Sequence, residues 1–380
     1  MGKRELVLIA IFVAIGVVVF QFTAPPPPPG SEGVSVGGIF NRLKREVQGS
    51  RESASSETTE TLAIDGSVRL IRINLPRQND LTIVGTDRTD ILVEMKVEAR
   101  GHSPAEAKSA ADAAKIKLER ASDAVAITSV WPARTGQNSG FINTGTFTIS
   151  IPKRLQVRIE PHSGLLEMRD VAGGEIMGSR GTTRISNVAG HLSLVHTGGK
   201  LELENLASLK LSGRNSNGSV KRVSGVTSLD LTNGELRFDE VIGPVDVEAR
   251  NVEFVLDADK MTKGPLRFNA NNGTARIDHL RTEARLDGRN TDIHVGLSAA
   301  APITIYSTGE DIIVEAPPGG YTVDAVATEG QLVLEDGTLK VTGEDQQREQ
   351  RASGAIRGGG PALTLRATRA DVRLRKPEGK

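Results

Sequence analysis

Cysteine is absent from all 380 residues, so the chain has no disulfide framework, no thiolate metal site and no thiol nucleophile. Aromatic residues are nearly as scarce, with one Trp, two Tyr and nine Phe. That leaves few aromatic platforms on which the sugar rings of a polysaccharide substrate could lie. Charge of either sign is not in excess: 47 basic residues balance 47 acidic ones, which removes the electrostatic footprint of a general nucleic-acid binder. No HExxH, GxSxG or phosphate-loop signature occurs anywhere.

What is present is a repeat. From about residue 157 onward a turn residue, usually Gly, is followed by apolar residues two and four positions later and often preceded by others at minus seven and minus five. The turn positions are Gly164, Gly181, Gly199, Gly218, Gly234, Val252, Gly273, Thr291, Gly309 and Gly330, spaced by 16 to 21 residues, with a late copy at Ala370. Pairs such as Leu236 and Phe238 after the turn, and Val245 and Val247 before the next, alternate at period two, the mark of a strand with one buried face. A third apolar position (Val171, Val188, Leu206, Val223, Val241, Met261, Leu280) recurs where one copy passes to the next. A unit this short leaves no room for a strand-helix-strand crossover of about 30 residues. Stacked identical coils, each burying what its neighbour exposes, satisfy the repeat most simply. The expected fold is therefore mostly β: a parallel β-solenoid of about ten 18-residue coils, roughly 50 Å long at a strand spacing of ~4.8 Å. An antiparallel meander of hairpins is the alternative.

Asn217-Gly218, Asn233-Gly234 and Asn272-Gly273 place residues that tolerate positive φ at sharp bends. Asn217, Asn233, Asn251, Asn272 and Asn290 recur near the repeat spacing and are expected to stack as a hydrogen-bonded ladder. Thr183, Arg222 and Asp311 fall where other copies have an apolar residue. For Arg222 and Asp311 either a polar core site or a one-residue register slip toward Val223, Ile312 and Val314 accounts for this.

The flanks differ. Residues 6–22 (LVLIAIFVAIGVVVFQF) are apolar apart from one Gln and follow Lys3 and Arg4. As a helix they would span about 26 Å, at the short end of a bilayer. A cleavable signal peptide is the rival reading, but Phe22, Thr23 and Ala24 make a poor cleavage site and five prolines follow. The expectation is an N-terminal transmembrane helix, with a lipid bilayer contacted through residues 6–22. The positive-inside rule then makes this a single-pass membrane protein with a cytoplasmic N-terminus and its bulk in the periplasm or at the cell surface. The expected organisation is a signal-anchor in 1–24, a Pro-rich and polar linker in 25–60, a β-rich cap with one helix in 61–160 and β-solenoid repeats in 161–342. A mobile insertion in 343–360 and a final coil with a basic tail in 361–380 complete it. Residues 49–60 read as unstructured. The cap helix begins Ser103-Pro104-Ala105-Glu106, a capping box with Pro at the first helical position, and is expected to reach about Arg120.

Gly85-Thr-Asp-Arg-Thr-Asp-Ile-Leu-Val-Glu94, the helix start at Ser103, the strand Phe147-Thr-Ile-Ser-Ile-Pro152 and copies such as Ser228-Leu-Asp-Leu-Thr-Asn-Gly-Glu-Leu-Arg237 resemble the bacterial putative-adhesin family of β-repeat domains. The likeness spans roughly residues 61–376 and is one of pattern. It implies an envelope-associated protein and supplies no catalytic residues to carry over.

The residues themselves name no catalytic, cofactor-binding or metal site, and no cofactor. Of the six histidines, His191 and His196 face opposite ways on a strand, while Asp292 and His294 share a face without a third ligand. Outward acids (Glu202, Glu204, Asp230, Glu235, Asp239, Glu248, Glu253) meet the spacing of a polysaccharide hydrolase or lyase only by abundance. Trp131 is either an exposed contact residue or a plug over a core. The expected function is non-catalytic, an adhesin-like binding or scaffolding module. Its partner would be an envelope protein or cell-wall polymer rather than nucleic acid. The alternatives are a self-associating, bactofilin-like filament element and a β-solenoid polysaccharide enzyme.

Overall fold

The computed structural model describes residues 52–76, 79–132, 140–317, 319–335, 339–343 and 348–376. The chain divides into two compact units, one of Met1–Ser56, Glu98–Ala113 and Pro132–Asn143, the other of Glu57–Val97, Ala114–Trp131 and Thr144–Lys380. In the first, helix α1 (Pro104–Asp112) starts as its sequence dictates: the Ser103 hydroxyl accepts the Glu106 N–H at 3.2 Å, and Glu106 reaches back to the His102 N–H at 3.1 Å. It stops at Ala113, well short of Arg120. The residues beyond alternate, and form a strand instead.

The early strands are β1 (Glu52–Ala63), β2 (Leu70–Asn74), β3 (Asp80–Thr86), β4 (Asp90–Gly101), β5 (Lys115–Ala121), β6 (Ala124–Val130), β7 (Phe141–Pro152), β8 (Gln156–Ile159) and β9 (His162–Val171). β1 occupies residues that read as unstructured; its polar sequence buries nothing, yet its backbone pairs with β4. β2 lies parallel to β8 and β6, and β3 parallel to β9 and β7, while β5 and β6 form an antiparallel pair.

The regular region comprises β10 (Gly173–Val223), β11 (Thr227–Val241), β12 (Val245–Asp257), β13 (Leu266–Leu280) and β14 (Ala284–Leu297), each parallel to the next in sequence. Leu229, Val247, Phe268 and Leu286 are register partners in turn, as are Leu236, Phe254, Ala275 and Ile293; all are at most 2% exposed. Phe238, Phe254 and Phe268 stack with ring centroids 5.3 and 5.2 Å apart, a geometry that adds ~0.5–1.5 kcal/mol per pair beyond burial. Val171, Val188, Leu206, Val223, Val241, Met261 and Leu280 are all buried.

The C-terminal strands are β15 (Ile303–Thr308), β16 (Ile312–Glu315), β17 (Tyr321–Thr328), β18 (Leu332–Leu334), β19 (Glu349–Ile356), β20 (Ala362–Thr368) and β21 (Val372–Arg375). Their order in space departs from their order in sequence. β20 lies between β15 and β17, and β21 between β16 and β18, parallel to both neighbours in each case. β19 runs antiparallel along β17.

Several expectations are corrected. The mostly β composition holds, but the strands form one long mixed 21-stranded sheet among the described residues, not a closed parallel β-solenoid of about ten 18-residue coils. Antiparallel pairs and a non-sequential strand order enter because alternation dictates which face is buried and leaves the choice of neighbour to long-range pairing. No helix among the described residues is long and apolar enough to cross a membrane, and the transmembrane helix expected at 6–22 lies outside those residues. The single-pass membrane localisation built on that run, with its bulk in the periplasm or at the cell surface, is corrected accordingly. The Gly218 turn is also displaced: Ser216 is the partner of Gly234, and Gly218 pairs with the inward Leu236. Arg222 therefore lies exposed beside the buried Val223 after a displacement of two residues rather than one, whereas Asp311 is a one-residue slip, immediately before the buried Ile312. Thr183 is inward, opposite Leu166, with its hydroxyl bonded to that of Ser179.

Candidate functional site

Tight corners hold the outward faces in register. At one corner Asn215, Asn233, Asn251, Asn272 and Asn290 all adopt φ between 48° and 62°, the left-handed region in which Asn is enriched. Each amide N–H donates to the side-chain carbonyl of the preceding Asn at 3.0, 3.0, 3.1 and 3.2 Å. The expected ladder exists, with Asn215 in place of Asn217; the Asn217 side chain instead accepts the Glu235 N–H at 2.8 Å. A second ladder escaped the sequence reading: Asn187 donates to Asp170 and Asn205 to Asn187, both at 2.9 Å, and Arg222 donates to Asn205. Its signal was the positive-φ chemistry of the Asp170-Val171 and Asn187-Val188 phrases, read only for their valines.

Between corners, outward side chains line up across strands. One row runs Asn217, Glu235, Glu253, Thr274, Asp292. Another runs Lys210, Ser228, Asp246, Arg267, Arg285, Thr304, Thr364, Asp324. Ion pairs cross the rows: Arg184 bridges Glu167 at 3.0 Å and Glu202 at 2.8 Å. The hydrogen bond from Lys200, aided by Arg184, holds the Glu202 carboxyl below its ordinary range. These pairs are exposed, so they order the surface more than they stabilise it.

Among the described residues, depressions interrupt the faces. A polar one of 560 Å³ is walled by Glu167, Arg184, Glu202 and Lys221 over Thr82 and Ser186. A second, of 720 Å³, has Leu206, Ala207 and Ile242 at its base and Arg222, Glu240 and Asp259 at its rim. It lies beside the copy between Val252 and Gly273, which is longer than its neighbours and in which Thr262 and Lys263 both donate to the Ile242 carbonyl, at 3.2 and 3.0 Å. A third, of 320 Å³, gathers Asp230, Asp246 and Glu248 with Arg250.

The acids singled out from sequence meet in pairs, Glu235 beside Glu253 and Asp230 beside Glu248, whereas the histidines do not converge. His196 is fully buried; its Nε2 faces the Gly181 carbonyl at 3.4 Å and its Nδ1 lies 2.7 Å from the Ser216 hydroxyl. His162 is buried against the Leu165 carbonyl at 3.2 Å. Burial lowers the pKa of both. His191 meets Ser208 at 3.0 Å, and His294 meets Glu315 at 3.0 Å rather than joining Asp292. Among the described residues no group of three His, Asp or Glu side chains is placed to hold a metal ion. Trp131 is half-buried, and a Cβ on Gly145 would meet its ring at 2.9 Å.

No family model matches the chain, and no curated protein matches it. Solved structures do. A putative cell adhesion protein from Clostridium sporogenes is 10% identical over 85% of this chain and 100% of its own, with a TM-score of 0.21. A putative lipid binding protein from Parabacteroides distasonis is 12% identical over 85% and 97%, with a TM-score of 0.31. A putative adhesin from Parabacteroides merdae is 8% identical over 84% and 96%, with a TM-score of 0.25. Two of these three carry the adhesion description to which the sequence resemblance points, and none is named as an enzyme. TM-scores this low do not establish a common fold, so the reading of the site rests on its own geometry.

Proposed function

We propose that the protein is a non-catalytic, adhesin-like binding or scaffolding module that holds an extended partner against the outward rows of its sheet. The observation that carries this reading is the register. Side chains of equivalent position stand on successive strands, as in Asn217, Glu235, Glu253, Thr274 and Asp292, and repeat at the sheet's ~4.8 Å spacing. An extended protein strand or a cell-wall polymer presents polar groups along a line and gathers many weak contacts from such rows; a compact metabolite reaches only one or two. End-to-end filament growth is less well supported, because β19 covers β17 with an antiparallel strand carrying Glu349 and Arg351, the kind of charged edge that resists further pairing.

The test is co-sedimentation of the full chain with insoluble cell-wall polymer and with immobilised extended proteins, over a salt series. Saturable retention that weakens with salt and is lost in Glu235→Lys/Glu253→Lys is the expected result. Retention on none of these, or turnover of the polymer into soluble fragments, overturns the reading.

A further inference from the structure

The C-terminal strands are assembled out of order. β17 follows β16 after the short link of residues 316–320, and its inward Val323, Ala325 and Ala327 match the pattern of β20, where Leu363, Leu365 and Ala367 are their register partners. Nevertheless β17 does not lie on β15. Residues 361–376, which follow all four of these strands in the chain, occupy the slot between β15–β16 and β17–β18. Their Leu363, Leu365, Val372 and Leu374 are at most 2% exposed. Backbone bonds hold them on both sides. Gly309 N–H donates to Thr368 and Ile312 N–H to Asp371 on one flank; Arg369 N–H donates to Thr328 and Val372 N–H to Gln331 on the other.

Both walls of the slot come from chain that precedes residues 361–376, and without that segment the β15–β16 and β17–β18 edges it covers would be left unpaired. The segment is joined to β19 by Arg357-Gly358-Gly359-Gly360-Pro361. Gly358 and Gly359 have φ of +89° and +78°, and a Cβ on Gly358 would meet nothing within 4 Å. Such a glycine hinge can swing the segment out. The bonds that seat it require its sequence and register, and none requires that it belong to the same chain.

We propose that the slot between β15–β16 and β17–β18 is a strand-acceptor site, which takes the chain's own residues 361–376 or the same segment from a second copy. Reciprocal exchange of identical elements produces a closed dimer with no new interface chemistry. The inference stands apart from the proposed partner binding, because it concerns pairing inside the sheet and not its outward rows.

The chain's lack of cysteine makes the test clean. Thr304 of β15 and Thr364 of β20 are register partners, and neighbouring strands lie within the Cα separation a disulfide spans. Differently tagged full-length Thr304→Cys and Thr364→Cys chains are unfolded together, refolded at high concentration and oxidised. The expected product is a mixed disulfide of dimer mass, in large excess over that from Thr304→Cys paired with the out-of-register Thr368→Cys. Light scattering of unmodified chain refolded in the same way should show the dimer too. Monomer alone, or a mixed disulfide no more abundant than the control, overturns the proposal. The double variant Thr304→Cys/Thr364→Cys at low concentration must close within one chain; failure there shows that the strand order itself is wrong, and also overturns it.

Discussion

The regular strands β10–β14 and the C-terminal strands β15–β21 are built from the same inward alternation but assemble by different rules. In β10–β14 each strand pairs with the next in sequence, Leu236 over Phe254 over Ala275. In β15–β21 the last two strands separate two that were made earlier. Side-chain volume distinguishes the two arrangements. Leu363 and Leu365 meet Ile303 and Ile305, whereas β17 would offer Val323 and Ala325 at the same positions and an alanine, like Ala367, at the third; β20 therefore buries the larger apolar surface at two inward positions. Alternation alone therefore does not decide adjacency; the amount of apolar surface at each inward position does.

The largest effect that would sharpen this contrast is expected from Phe254→Ala, which opens the Phe238–Phe254–Phe268 stack and should cost about 3–5 kcal/mol in urea unfolding. Leu365→Ala should cost about 2–5 kcal/mol, with faster amide exchange in β20 and both its neighbours while β11–β13 stay protected. Loss of protection in β11–β13 would break the comparison, because the two regions would then be one cooperative unit. Next comes Gly273→Val. Gly273 has φ of +126° and a Cβ there would meet the Val252 carbonyl oxygen at 2.2 Å; backbone strain of about 1–3 kcal/mol is expected, read as a lowered thermal midpoint.

Acid should loosen the chain where His162 and His196 are buried. Both have folded-state pKa values depressed from 6.5 by burial, so the unfolded chain binds the extra protons. Stability is then fully present above the unfolded value and is lost as pH falls below about 6.5, with a slope of at most about 1.4 kcal/mol per pH unit for each ring. His196→Gln should flatten the denaturant midpoint against pH between 6.5 and 5; an unchanged slope would show that His196 does not control it. The smallest effect belongs to Asn251→Ala. It removes two exposed hydrogen bonds of the amide ladder, together for about 0.5–1.5 kcal/mol, and a residue suited to φ of 53°.

The corners were legible in part. Asn233, Asn251, Asn272 and Asn290 stood at repeat spacing, but Asn217 was taken for Asn215 because the Asn-Gly dipeptide was followed rather than the inward pattern that places Gly218 opposite Leu236. The Asp170, Asn187, Asn205 and Arg222 ladder went unread because Arg222 does not resemble Asn; only its φ of 57° brings it into line. The outward acids were named one by one from sequence, and the rows they form depended on knowing that Glu235 faces Glu253 and Asp230 faces Glu248.

By itself the sequence determined the β character of the chain, the buried face of most of the repeat strands, the capped start of α1 and most of the positions where the backbone turns. These are local consequences of side-chain period and backbone sterics. Tertiary structure alone decided the mixed sheet, the antiparallel placement of β5 against β6 and β19 against β17, and the insertion of β20–β21. Several strands with the same inward pattern compete for each edge, and the winner is set by apolar surface buried and backbone bonds completed between residues far apart in the chain.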